Sequence, residues 1–264
     1  MFSYTHALCR KIPHSIVADG LRMDSNHEPI DYGLAIEQHE KYVEALRNIG
    51  LQVTVLEADE KVPDCVFVED TAIIVDETVM ITNPGAESRK AETSIIKSHF
   101  ENQSKLKIVE MEDGEKLDGG DVLFTGYEIF VGLSSRTNDL GIQRIRKTFP
   151  EIPVFGITVK GALHLKSLMS MCGANKIAVG CSHDAKAALE EVLSKTTKSY
   201  DVVDIPDDYA ANFVVANGHL LHRSKTEFPR SHQVIKELPL KKIDLNISEV
   251  SKVDGALTCL SLLY

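Results

Sequence analysis

Residues 64–100 read DCVFVEDTAIIVDETVMITNPGAESRKAETSIIKSHF, and residues 117–149 read LDGGDVLFTGYEIFVGLSSRTNDLGIQRIRKTF. Both share one plan. In the first, two short apolar runs flank a turn at Asp76 and Glu77, a loop holds Ser88 and Arg89, and a helical stretch runs to Phe100. In the second the turn falls at Gly126, the loop holds Ser135 and Arg136, and the helix ends toward Phe149. Short β-branched runs bounded by turn residues read as hairpins, and the switch to a helical apolar spacing marks a helix after each hairpin.

A third unit covers 163–195, with a turn near Gly173 and a helix whose Ala187, Leu189, Val192 and Leu193 are expected to form most of its apolar face. A fourth covers 209–238; its Asn217-Gly218 pair between apolar runs is a strong hairpin signal. The fifth, DGALTCLSLLY (254–264), supplies a strand with no helix after it. The matching pieces lie at the other end of the chain: MFSYTHALCRKI can supply a strand, and GLAIEQHEKYVEALRNIG (33–50) a helix closed by Gly50 at its C-cap. Unit openings at Asp64, Asp118, His164, Asn212 and Asp254 recur about every 40 to 55 residues, a period of propellers and solenoids. Pairing the two chain ends in one unit predicts a closed ring with few bare sheet edges. The competing arrangement is a run of ordinary αβ units in an open sheet.

The totals narrow the function. A composition of 43% hydrophobic and 26% charged residues is that of a globular protein, with one domain expected over 1–264. A formal charge of -10 argues against a phosphate-backbone binder and suits a cationic small ligand. The five cysteines (Cys9, Cys65, Cys172, Cys181, Cys259) are odd in number and lack CxxC spacing, which argues against a disulfide framework and a structural zinc site. With no secretory signal and no membrane-length apolar stretch, reduced thiols in the cytoplasm are expected.

In a ring of five units the residues opening each unit face one axis. They are Asp64 with Glu69 and Asp70, then Asp118, His164, Asn212, and Asp254 with Cys259. Each has a structural explanation of its own: Asp64 and Asp118 as turn residues, His164 and Cys259 as core, Arg89 and Arg136 as solvated loop charges. Together those explanations require unrelated accidents at equivalent positions of a repeat. The joint reading makes Cys259 a nucleophile and His164, from another unit, its acid and base.

The stretches PDCVFVEDTA, LDGGDVLFTG, VGLSSRTN, ALHLKS, GHLLHR and KVDGALTC, in order along essentially the whole chain, resemble the dimethylarginine dimethylaminohydrolase family. The resemblance implies a five-bladed α/β propeller of ββαβ-type units with fivefold pseudosymmetry. It also implies hydrolysis of Nω,Nω-dimethyl-L-arginine and Nω-monomethyl-L-arginine to L-citrulline and dimethylamine or methylamine. Carried over by motif, Cys259 is the nucleophile, His164 the general acid and base, and Asp118 the carboxylate that orients it. Glu69 and Asp70 are expected to hold the guanidinium, with Asp64 and Asp254 completing an acidic wall. Arg89 and Arg136 are expected to clamp the amino-acid carboxylate, with backbone contacts at Leu21 and Val253. Two positions depart from the family: Leu260 stands where mammalian members carry a second cysteine, and MDSNHEP diverges within the lid-like segment Ala18 to Ile30.

A guanidinium carbon is a poor electrophile, so a thiolate is needed where water fails. A cationic substrate and a protonated histidine both favour that anion. No cofactor is required, and a thiolate beside an imidazole is expected to bind zinc as an inhibitor at Cys259 and His164. The expected partner is a small methylated arginine, with no nucleic acid or membrane, for a monomer or homodimer. The rivals are an arginine or agmatine deiminase releasing ammonia, and a non-catalytic ribosome-binding protein of the same fold.

Overall fold

The computed structural model describes residues 2–23, 28–103 and 105–264. The chain opens with β1 (His6–Arg10), a single turn α1 (Ile16–Asp19), the long helix α2 (Tyr32–Asn48) and β2 (Gln52–Leu56). Three complete repeats come next. They are β3 (Ala72–Val75), β4 (Thr78–Ile81), α3 (Thr93–Gln103) and β5 (Lys107–Glu110); β6 (Val122–Phe124), β7 (Ile129–Leu133), α4 (Asp139–Thr148) and β8 (Val154–Thr158); and β9 (Met169–Gly173), β10 (Lys176–Gly180), α5 (His183–Lys195) and β11 (Asp201–Ile205). A fourth is β12 (Val214–Ala216), β13 (His219–Arg223), α6 (Pro229–Ile235) and β14 (Lys241–Leu245), after which the turn α7 (Ser248–Ser251) leads to β15 (Leu262–Leu263).

These strands make five separate three-stranded sheets, so the open-sheet arrangement is not what forms. In each full repeat the first two strands pair antiparallel and the third returns through a helix to lie parallel to the second. The fifth sheet is assembled from both chain ends: β15 pairs antiparallel with β1 (Ala7 opposite Leu263, Leu8 opposite Leu262), and β2 lies parallel on the far side of β1. Each middle strand is covered on both faces, which is why runs such as TVMI and IFVGL are apolar without alternation.

Local sequence accounts for the turns. Asn217 and Gly218 take φ of 49° and 78°, the left-handed pair that a two-residue hairpin needs. Gly50 (φ 92°) ends α2: its N–H donates to Arg47 O and that of Leu51 to Leu46 O, the paired bonds of a Schellman cap. In α5 the buried face is Ala185, Ala188, Leu189 and Val192, spaced i, i+3, i+4, i+7. Ala187 and Leu193, expected on that face, are exposed, because the N-cap at Ser182 sets a helical phase that turns them outward.

The entry to each repeat positions the functional residues. Every first strand is entered through a 3₁₀ turn: Val68–Thr71, Gly119–Asp121, Leu165–Ser167, Asp208–Ala211 and Thr258–Leu260. The turns lie against one another around the axis. Asn212 closes the ring, its amide bonding Thr258 across the blade boundary. Among the described residues no helix is long and apolar enough to cross a membrane.

Candidate active site

His164 is the residue just before the Leu165–Ser167 turn, 4% exposed, with Nε2 3.0 Å from Asp118 Oδ2 and 4.0 Å from Asp70 Oδ1. Asp118 is fully buried and fixed by the Gly85 N–H, which donates to Oδ1 at 2.8 Å. Behind the ring, a Cβ built on Gly120 would come within 2.4 Å of Nδ1, so the second glycine of LDGGD is there to let backbone approach the imidazole. Asp70 Oδ1 accepts the Gly120 N–H at 2.8 Å. A further acid, Asp121, accepts from Leu165 N–H (2.9 Å), Ser134 Oγ (2.6 Å) and Thr137 Oγ1 (2.7 Å). Burial opposes a charge on His164, but the charge of Asp70, the hydrogen bond that the ring donates to Asp118 and the charge of Asp121 outweigh it and bring its pKa up to about 9. The ring is an imidazolium at neutral pH.

Cys259 sits in the last 3₁₀ turn and is buried. Its turn is held from three sides. The Cys259 N–H donates to Ala256 O (3.2 Å), Thr258 N–H donates to Asn212 Oδ1 (3.0 Å), and Thr258 Oγ1 donates to Glu69 Oε2 (2.7 Å). Burial, with Glu69 and Asp70 adding to it, pushes the Cys259 thiol up, so without a ligand the sulfur is protonated.

Between thiol and imidazole is a cavity of about 50 Å³ whose walls include Asp64, Asp70, Arg89, Arg136, His164 and Cys259. Leu21, Met23, Val253 and Asp254 close it. Two acids hold this cover: Asp64 Oδ1 accepts the Leu21 N–H (3.0 Å) and Asp254 Oδ2 the Met23 N–H (2.6 Å). Burial raises the pKa of Asp64, with Arg89 and the Leu21 hydrogen bond opposing. The two arginines differ in how they are used. Arg89 is buried and engaged, bonding Glu92 through Nε and Nη2, Asp70 through Nη1 (2.5 Å) and Phe67 O through Nη2 (2.9 Å). Arg136 Nη1 is buried without a hydrogen-bond partner among the described residues, 3.7 Å from Asp118 Oδ2.

The family profile described as "N,N dimethylarginine dimethylhydrolase, eukaryotic" matches residues 21–252. A dimethylarginine dimethylaminohydrolase from Pseudomonas aeruginosa is 31% identical over 99% of this chain and 100% of its own length. The chain belongs to the dimethylarginine dimethylaminohydrolase family. A Streptomyces coelicolor dimethylarginine dimethylaminohydrolase is 33% identical over 97% of this chain and 95% of its own length. The crystal structure of a cysteine-to-serine variant of the Pseudomonas aeruginosa protein, complexed with citrulline, superimposes with a TM-score of 0.89, at 28% identity and 100% coverage of both chains.

Against the family pattern, the cavity brings together every expected residue except Asp118 and Glu69. Asp118 lies one layer behind, against two of the cavity's walls, His164 (3.0 Å) and Arg136 (3.7 Å). Glu69 differs more. Its carboxylate pairs with Lys166 Nζ and accepts from Thr258, and it faces a separate cavity of about 180 Å³ lined also by Phe2, Tyr4 and Phe213. It therefore braces the Cys259 turn rather than lining the space next to the sulfur. Arg89, expected as a clamp for the amino-acid carboxylate, lines the cavity and is paired there with Asp70 and Glu92. Asp121, Glu92 and Lys166 were not singled out from the sequence. The second acid of LDGGD and the lysine of LHLKS are the only signals that could have raised two of them. The divergent MDSNHEP stretch includes residues 24–27, which lie outside the described residues. Asp70, Asp118 and His164 offer ligand atoms within 4.8 Å of one another; Cys259 is outside that group.

Proposed function

We propose that this chain hydrolyses Nω,Nω-dimethyl-L-arginine and Nω-monomethyl-L-arginine to L-citrulline and dimethylamine or methylamine, with Cys259 as nucleophile and His164 as acid and base. The observation that carries the reading is that Cys259, His164, Asp70 and Arg136, from four different repeats, border one cavity. The substrate guanidinium pairs with Asp70, Arg136 Nη1, which has no hydrogen-bond partner among the described residues, takes the α-carboxylate, and Asp64 and Asp254 hold the cover over the bound molecule. A 50 Å³ space is far below the ~300 Å³ of an ordinary ligand site, so the Leu21–Met23 cover moves aside for entry.

Binding a cation beside Asp70 reverses the field that keeps the Cys259 thiol neutral, and its proton leaves as substrate enters. The thiolate attacks the guanidinium carbon, giving a neutral tetrahedral adduct. His164 donates its proton to the dimethylamino nitrogen; the C–N bond breaks, dimethylamine departs, and a cationic thiouronium remains on sulfur. Neutral His164 then takes a proton from water as its oxygen adds to the same carbon. Loss of the hydroxyl proton and cleavage of C–S return citrulline and the thiolate, and that last proton balances the protonation of the released amine. The sequence of steps uses no metal. Zinc acts as an inhibitor by joining the Cys259 thiolate and His164.

The test measures citrulline, dimethylamine and ammonia together, and looks by mass spectrometry for a substrate adduct on the C-terminal peptide of quenched protein. Dimethylamine equal to citrulline, an adduct at Cys259, and no turnover by Cys259→Ser support the reading. Ammonia in place of dimethylamine, or wild-type turnover by Cys259→Ser, overturns it.

A further inference from the structure

The GHLLHR stretch supplies a second constellation, remote from the cavity between Cys259 and His164. His222 in β13 and Asp244 in β14 are paired in register on adjacent parallel strands, and α6, the crossover joining those strands, carries His232. One ligand atom from each of the three lies within 4.8 Å of the others. The two imidazoles stand 5.8 Å apart between centroids, tilted by 51°.

His222 is completely buried, and its Nδ1 lies 2.9 Å from the Arg223 carbonyl oxygen, which can only accept. The ring proton is thereby placed on Nδ1, leaving Nε2 with a bare lone pair. That Nε2 is buried with no partner among the described residues, and so is His232 Nδ1. Two buried imidazole nitrogens without partners, on neighbouring rings, are costly unless something satisfies them. Asp244 is exposed at the edge of the pair, its Oδ2 held by the Lys225 N–H at 2.9 Å. An imidazole oriented through its other nitrogen by a backbone carbonyl, and a carboxylate held by a backbone N–H, are the outer supports that metal ligands carry. Of the neighbouring cations, Arg223 bonds Glu227 through Nη2 (2.5 Å) and lies over Phe228, its Nε and Nη1 having no hydrogen-bond partner among the described residues, and Lys242 bonds the Leu238 carbonyl.

We propose that His222, His232 and Asp244 bind a divalent transition cation of the zinc type, with water completing the coordination at the exposed side. Two imidazoles and one carboxylate form a borderline donor set, which suits Zn²⁺ or Co²⁺ over Mg²⁺ or Ca²⁺. This site is independent of the hydrolase reading and uses none of its residues.

The experiment uses chelator-stripped full-length Cys259→Ser protein, so that the active-site thiol takes no part, with Zn²⁺ followed by equilibrium dialysis and Co²⁺ by its visible absorption. One Zn²⁺ per chain is expected. His232→Ala and Asp244→Asn, each in that background, should weaken binding at least 10- to 100-fold, the loss that removing even an outer support of a metal ligand causes. His232→Ala with Cys259 intact should keep wild-type turnover. Absence of Zn²⁺ binding to the Cys259→Ser protein, or undiminished affinity in His232→Ala, overturns the proposal.

Discussion

Asn212 grips Thr258 at two points: Oδ1 accepts the Thr258 backbone N–H at 3.0 Å, and Nδ2 lies 3.1 Å from its Oγ1. The amide also donates to the Lys166 carbonyl at 2.9 Å, so one side chain ties together the turns that carry His164 and Cys259. Blade closure and alignment of the proposed reacting pair rest on one side chain.

Asn212→Ala therefore leaves the Thr258 N–H and the Lys166 carbonyl, both on half-buried residues, without these partners. The expected cost is about 1–3 kcal/mol of stability. It should also lower kcat roughly 100-fold, as displacement of a reacting group by about 1 Å does. Denaturant unfolding and single-turnover kinetics measure the two; unaltered kcat would contradict the alignment role.

Arg136→Ala removes a buried guanidinium nitrogen at the cavity that lacks a hydrogen bond among the described residues, and touches the non-reacting end of the proposed substrate. KM should rise by about 10- to 100-fold with kcat little changed, in keeping with the ~1.5–3 kcal/mol of a charge-assisted bond. Steady-state kinetics decide; a collapsed kcat at unchanged KM would misplace the residue.

Gly120→Ala puts a methyl group 2.4 Å from His164 Nδ1. The imidazole must move off Asp118, and turnover should fall at least about 100-fold, while overpacking costs about 1–3 kcal/mol. Gly114→Ala, at an open left-handed position (φ 86°), is the control: strained at its own backbone, but with no effect on the ring. Comparable turnover in the two variants would remove the steric argument.

The folded-state pKa of His164 is raised to about 9 from an ordinary value of 6.5, so the native state holds the proton more tightly than the unfolded chain. Its contribution to stability is complete below about pH 6.5 and is lost as pH rises through about 9. Unfolding free energy of the wild type, relative to His164→Gln, should shrink across that window, and the imidazole resonances should titrate near its upper end. A His164 titration near 6.5 would show that the three surrounding aspartates do not act as the geometry requires.

Much of the architecture was legible because it rests on neighbours in the chain. Asn217-Gly218 makes its turn through the backbone freedom of two adjacent residues, Gly50 caps α2 from one position beyond it, and the apolar middle strands announce their burial in their own composition. Spacing of the five openings was enough to place Cys259 and His164 on one axis although they stand 95 positions apart, since a repeat carries position as well as structure.

Local residue order thus specifies the unit, its number, and the residues that open each one. Packing decided how their polar groups are partnered: Glu69 with Lys166, Arg89 with Asp70 and Glu92, Asn212 with Thr258, and Arg136 Nη1 with no hydrogen-bond partner among the described residues. The reason is physical. Turn and helix preferences are written in a few consecutive residues, whereas a buried charge takes whichever opposite charge the packing delivers, from its own repeat for Arg89 and from another blade for Glu69, and that choice depends on side-chain direction at the ångström scale.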